Sequence, residues 1–409
     1  MGKSHAIRSL LNLAAVFVAC AMLSQISAAS SAKVIYSFAG DDDGEYADTD
    51  LIADHAGNLY GTTVQGGRYG SGTVFEVTPS GVHTVLYDFT GGTDGGEPYK
   101  GVTLDAAGDL YGTAVTGGTG TRCDGGCGVL YKLTNTSGSW TQSVIHQFTG
   151  GNDGSGPGSG VTFDSHGNLY GTTPTGGAKG YGVIFQMTPD QNGTWKFSVI
   201  HTFTGGVDGL GGSAGRLILD GAGNLYGTCT AGGANGFGNV YELSSRNRKW
   251  QLKTLYSFQD QPDGALPYGG LIFDKAGNLY GTTYYAGAND VGTVYELSPA
   301  NGSWKETVLY SFKGEADGDS PISTLVADSA GSLYGTTSDG GAATCGCGTI
   351  FKMSRSGSGW KESTTYQFPG TPGAGFAYNG MVVDSKGNIH GATVHGGTSN
   401  DGAIYQFVP

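Results

Sequence analysis

The string DKAGNLYGTT, starting at Asp274, constrains this chain more than any other feature, because near copies of it occur seven times. The other copies begin at Asp54, Asp105, Asp164, Asp220, Asp328 and Asp384, at spacings of 51 to 59 residues. Each copy reads as a hairpin. The Asp can cap backbone N–H groups, and the Gly three residues on supplies the positive φ that a bulged type I turn needs. In the strand that follows, Leu and Tyr point to opposite faces and both are bulky, so a sheet buried on both sides is expected. Around each hairpin the unit extends. A Gly-rich loop leads into a strand such as GTVYEL (Gly292 onward), then a polar turn, then an outer strand such as TVLYSF (Thr307 onward). Four short strands per unit, seven units: the pattern predicts an all-β, seven-bladed β-propeller.

The ends of the repeat argue for a closed ring. The outer strand occurs seven times, and its first copy, VIYSF from Val34, precedes any hairpin. The last unit stops after its third strand, AIYQF from Ala403. The N-terminal strand is therefore expected to complete the last blade, so that residues 33–409 form a single domain. Residues 1–32 read as a secretory signal peptide. Lys3 and Arg8 precede an apolar run and then small residues, with cleavage expected between about 29 and 33.

The chain carries a formal charge of −13 and no Lys/Arg cluster, which argues against nucleic acid or an anionic membrane as partner. After export a soluble monomer is expected, without cofactor or metal. Five cysteines follow the leader. Cys123 with Cys127, and Cys345 with Cys347, suit two local disulfides in an oxidising compartment; free thiols or one zinc site built from both pairs are the alternatives. Cys229 reads as a small buried residue.

The run D-x-x-G-N-L-Y-G-T-T-x-x-G-G, followed by G-x-G-T-V-F/Y-x-L, resembles the gloeo/verruco (GloVer) tandem repeat of exported bacterial proteins. The resemblance covers the whole chain after the leader. It implies export and a propeller-like fold, and no particular activity. The chain ends at QFVP without the sorting tail that some members carry, so simple secretion is expected.

A residue present in every unit serves the unit, so a site must be sought among the exceptions. The repeated tyrosines from Tyr60 to Tyr334 are expected to pack between blades. The five tryptophans, each before an outer strand, are expected to guard its edge. The recurrent Asp-Gly pairs, from Asp43 to Asp317, read as turns rather than a calcium ring. Before the inner apolar run, four units have Gly (Gly101, Gly160, Gly270, Gly380), while the others have Asp50, Arg216 and Thr324. Tyr99, Lys100, Tyr268, Tyr378 and Asn379 lie just upstream. The second loop varies as well, with Gln65, Tyr285, Asp339 and His395 before its glycines. In a propeller both sets open on one face, where Asp50, Gln65, Lys100, Arg216, Tyr285, Asp339 and His395 would offer a small polar ligand site; each could equally be a solvated loop residue.

Two functions compete for such a face. One is a non-catalytic binder of carbohydrate or another extracellular polymer. The other is a polysaccharide lyase, with His395 or Tyr285 as base and Arg216 or Lys100 as cation, or a glycosidase pairing Asp50 with Asp339. A protein-interaction scaffold would use the same platform. No H-E-x-x-H, Walker or dinucleotide motif occurs, which leaves the binder preferred.

Overall fold

The computed structural model describes residues 31–211, 215–247, 249–357 and 359–409. All but two residues of the expected leader lie outside them. Strand follows strand with no helix among the described residues. Blade 1 is built from Ile52–Ala53, Leu59–Thr63, Thr73–Val77 and His83–Asp88, paired antiparallel in chain order. Blades 2 to 6 repeat the pattern within residues 102–147, 161–202, 218–257, 272–311 and 319–367, the last with one extra short strand. Blade 7 takes Val382–Val383, Ile389–Thr393 and Ala403–Val408 from the chain's end, and Ser31–Ser37 lies beside Ala403–Val408 as its outer strand.

The seven sheets form a ring with no single core. Apolar clusters lie in the seams, each drawing side chains from two successive blades. In the seam between blades 7 and 1, Phe38, Leu51, Leu59 and Phe75 pack with Ala392 and Ile404. Phe38 is fully buried there, while Ile35 and Tyr36 keep part of their surface in solvent.

The hairpins carry out the local chemistry expected of them. Asp54 Oδ1 accepts the N–H groups of Ala56 and Asn58 at 2.9 Å each, and Gly57 takes φ +86°. The Tyr60 hydroxyl donates to Asp54 Oδ2 at 3.2 Å, tying the strand's buried tyrosine to its own turn. The tyrosines do pack in the seams. The tryptophans do not simply guard an edge: Trp195 of blade 3 meets Tyr111 of blade 2 at 5.8 Å between ring centroids, and Trp250, Trp304 and Trp360 repeat the contact. The Asp-Gly carboxylates are turn caps. Asp43 accepts from the Tyr36 hydroxyl at 2.6 Å and from Ala39 N–H, and Asp94, Asp263 and Asp317 take the corresponding tyrosines. Cys123–Cys127 and Cys345–Cys347 are disulfides, and Cys229 is buried.

Candidate functional site

The loops that enter the inner strands share one kink. Tyr46, Glu97, Leu266, Ser320 and Phe376 occupy the same step of their blades, each with φ between 53° and 59°. A side chain in that left-handed region costs free energy, and such residues cluster where geometry matters more than local comfort. Here the kink is held by both loops of the face. The Leu266 carbonyl accepts the N–H groups of Tyr268 at 2.8 Å and Tyr284 at 3.0 Å; that of Tyr46 accepts from Asp48 and Val64 at 2.7 and 3.1 Å. Two residues beyond each kink stands the side chain that faces the axis.

That position is Asp48, Tyr99, Gly158, Tyr268, Ile322 and Tyr378 in blades 1, 2, 3, 5, 6 and 7, and all six line one cavity of ≈ 430 Å³. A second lobe of ≈ 340 Å³ shares Tyr268, Ile322 and Tyr378 and adds Tyr284, Ser338 and Asp339. Together they form a funnel rimmed by tyrosines. Tyr268 and Tyr284 meet edge to face at 5.5 Å. Burial raises the Tyr99 and Tyr378 hydroxyls above the ordinary phenol range, helped by Asp48 beside Tyr99 and by Asp339 near Tyr378. Both therefore stay neutral, able to donate and accept.

One residue further in, blades 4 and 5 have Gly215 and Gly269, and the others divide into two kinds. Thr49, Ser159 and Ser323 turn their hydroxyls back to the second strand, accepting the N–H groups of Thr62, Thr172 and Thr336 at 3.0, 3.2 and 2.8 Å. Blades 2 and 7 have Lys100 and Asn379 instead. Lys100 Nζ donates to Asn379 Oδ1 at 2.6 Å and lies 3.5 Å from Asp48. This charged cluster sits at the base of the tyrosine funnel.

Below it the channel is shut. Arg216 crosses from blade 4, giving Nη2 to the carbonyls of Lys100 and Val102 at 2.8 and 2.9 Å and Nη1 to Thr103 Oγ1 and the Val161 carbonyl. Its Nε is 3.9 Å from Asp50 Oδ2, and Asp50 Oδ1 accepts Gly380 N–H at 2.7 Å. Burial lowers the Arg216 pKa, with Asp50 and Tyr131 opposing. The four glycines of this level make the closure possible. A Cβ on Gly101 would stand 2.3 Å from the Asp50 carbonyl, and one on Gly380 would stand 3.0 Å from Asp50 Oδ1.

The candidate residues thus part company. Lys100 and Asp339 line the funnel. Asp50 and Arg216 do meet at the axis, but as the floor, with their polar atoms bound to one another and to backbone. Gln65 lines a separate acidic recess with Asp41, Asp42 and Glu45. Tyr285 is half exposed and lines neither lobe. The His395 ring is held edge-on between Tyr46 and Phe376. Asp48, Tyr284 and Ile322 escaped the sequence reading, although aligning the units two residues before the Gly/Asp/Arg step would have exposed Asp48 and Ile322. Among the described residues no group of three His, Cys, Asp or Glu side chains is arranged to hold a metal ion.

The model of a family described as the Gloeobacter/Verrucomicrobia repeat matches residues 22–141, 120–346 and 248–409. The chain belongs to that family. Solved structures share the fold at low identity. The extracellular domain of a candidate one-component system from B. thetaiotaomicron is 10% identical with a TM-score of 0.56, covering 91% of this chain and 39% of its own. This chain thus spans well under half the length of that relative. A candidate 6-phosphogluconolactonase from Bacteroides uniformis is 12% identical with a TM-score of 0.54, over 88% of this chain and all of its own. One from Bacteroides fragilis is 13% identical with a TM-score of 0.51, over 89% and 99%. No curated protein matches the sequence.

Proposed function

We propose that this protein is an extracytoplasmic, non-catalytic propeller that binds carbohydrate in the tyrosine funnel. The observation carrying the reading is the register of Tyr99, Tyr268 and Tyr378. Three blades place a phenol at the same step as Asp48 around one axis, above Lys100 and Asn379. Flat aromatic faces with hydrogen-bonding groups between them suit pyranose rings, whose C–H faces are apolar and whose hydroxyls are not. A floor closed by Arg216 makes the funnel a dead end that can seat the end or a bend of a glycan. The two disulfides and the export expected of the family fit an oxidising setting outside the cytoplasm.

The catalytic readings lose support at Arg216 and Asp50. A lyase needs a base beside an open cation: the Arg216 donors are spent on Thr103, backbone carbonyls and Asp50, and although Lys100 lines the funnel, neither His395 nor Tyr285 does. A glycosidase needs two carboxylates open to a sugar, and Asp50 is engaged by Gly380 and Arg216. The test is a panel of neutral and acidic polysaccharides assayed for retention and for product release. Retention without release, lost in Tyr268→Ala and in Tyr378→Ala, is the expected result. Release of shortened or unsaturated products would replace the binder with an enzyme, and retention that survives both substitutions would move the site away from the funnel.

A further inference from the structure

Near the axis, opposite charges cancel in pairs. Asp50 lies against Arg216 in the floor, and Asp48 against Lys100 at the base of the funnel, where Lys100 also donates to Asn379. The charged residues that line the funnel are Asp48, Lys100 and Asp339, and Asp339 is the one left over. Among the described residues it has no ion-pair partner. Its Oδ2 accepts the Ser338 hydroxyl at 2.7 Å, while Oδ1 accepts no hydrogen bond and is not sealed from solvent.

The surroundings of that carboxylate are aromatic. The lobe of ≈ 340 Å³ is walled by Asp339, Ser338, Ile322 and the tyrosines Tyr268, Tyr284 and Tyr378. The rings of Tyr268 and Tyr284 stand at 75° to one another, so they bound the space from two directions. Tyr378 comes from blade 7, and the Asp339 charge reaches it: after burial, Asp339 is the next cause that holds the Tyr378 hydroxyl protonated. Phenol faces and a carboxylate present potential of one sign. Both repel an anion and attract a cation. The lobe is thus poor chemistry for a uronate or a sulfate ester. It suits an ammonium, which needs an acceptor for its N–H donors and aromatic faces for its charge. A hard metal ion is served less well, because a single carboxylate leaves most of its oxygen ligands unsupplied.

We infer that this lobe is an ammonium subsite, and that the glycan it seats is built from a hexosamine whose amine is not acetylated. The inference rests on the glycan reading of the funnel and names the sugar class. The protonated amine donates to Asp339 Oδ1 and lies against the tyrosine faces. The C–H face of the same sugar stacks on Tyr268, which is 38% exposed. N-acetylation removes the charge and adds bulk, and a hydroxyl on that carbon keeps a donor without the charge.

The test is calorimetric titration of the full chain in mildly acidic buffer, which keeps the amine protonated. The probes are three tetrasaccharides of one linkage, made of glucosamine, N-acetylglucosamine or glucose. The glucosamine oligomer is expected to bind about tenfold tighter than either neutral one, the worth of a charge-assisted hydrogen bond. Asp339→Asn keeps the side-chain shape and an acceptor for Ser338, and should erase that preference. Asp124→Asn takes the same charge from an exposed loop and should not alter it. Tyr268→Ala should weaken all three oligomers. Choline, an ammonium without a sugar, should bind more weakly than the glucosamine oligomer by at least the same factor. A preference that survives Asp339→Asn, or falls equally in Asp124→Asn, would overturn the assignment, as would choline binding as tightly as the oligomer. Equal affinity for the three oligomers, each still weakened by Tyr268→Ala, would overturn it and leave the glycan reading standing. No binding of any oligomer would overturn both.

Discussion

The two faces of this ring are made by opposite rules. On one, every unit turns the same way: an Asp holds two backbone N–H groups, a Gly takes positive φ, and a Tyr, or His390 in blade 7, returns to the Asp. On the other, the loops share a backbone kink while the residue two steps on changes from blade to blade. The difference shows where the fold leaves freedom. A hairpin carboxylate with four donors has no replacement that keeps them all. A side chain pointing into a funnel has solvent, not neighbours, to answer to, so chemistry can vary there without loss of the ring.

The strongest way to break this comparison is to open the ring. Removing Lys33 to Phe38 withdraws most of the outer strand of blade 7 and the fully buried Phe38, which alone stabilises by roughly 1.5–3 kcal/mol. A sharp fall in melting temperature is expected. An unchanged melt would mean that the faces are not parts of one closed body. Next in size is Arg216→Ala, which takes a donor from the carbonyls of Lys100 and Val102 and the cation from Asp50. A cost of about 3–5 kcal/mol in denaturant titration is expected, on the scale of breaking a buried charged pair. A neutral result would return Arg216 to the ligand-binding face.

A matched pair of substitutions then tests the faces directly. Asp274→Ala removes partners from Ala276, Asn278 and Tyr280, and should cost about 1–2 kcal/mol in chemical denaturation while leaving glycan retention intact. Tyr268→Ala should do the reverse, shifting stability by no more than about 0.5 kcal/mol and abolishing retention. If both variants lose both properties, the division between faces fails.

The smallest effect belongs to the seams. Burial pushes the Glu306 carboxyl up to about 7 from its ordinary 4.5, with Asp263 adding to the rise. Between those values the folded state holds a proton that the unfolded chain has released. The resulting stabilisation is full below pH about 4.5 and is lost as pH rises through 7. Glu306→Gln should therefore raise the melting temperature by a few degrees at pH 8 and barely change it at pH 4. A gain at pH 4 instead would reverse the assigned protonation.

Much of this was written in the repeat. Seven copies of one hairpin define the blade number, and the buried tyrosines and the paired cysteines followed from residue type and spacing. The site was legible only in outline. Lys100, Tyr99, Tyr268 and Tyr378 stood out as exceptions, yet nothing in composition marks the left-handed turns at Tyr46, Glu97, Leu266, Ser320 and Phe376 that aim the funnel. Glycine would have announced such a turn; a kink enforced by two neighbouring loops leaves no such trace. Arg216 was misjudged for a related reason. A lone cation among glycines looks like a ligand group until the carbonyls that surround it are seen, and those belong to backbone, where every residue reads alike.

The sheet that sets Ser31 against Val408 unites strands from either end of the repeat array. Six complete sheets can stack side by side while the chain is still emerging, yet the arc they make keeps a raw margin at each end. Only the strand Ala403–Val408 lets the two margins meet. Closure of the ring therefore waits on that strand, and a chain lacking it carries an unpaired edge that other chains can find.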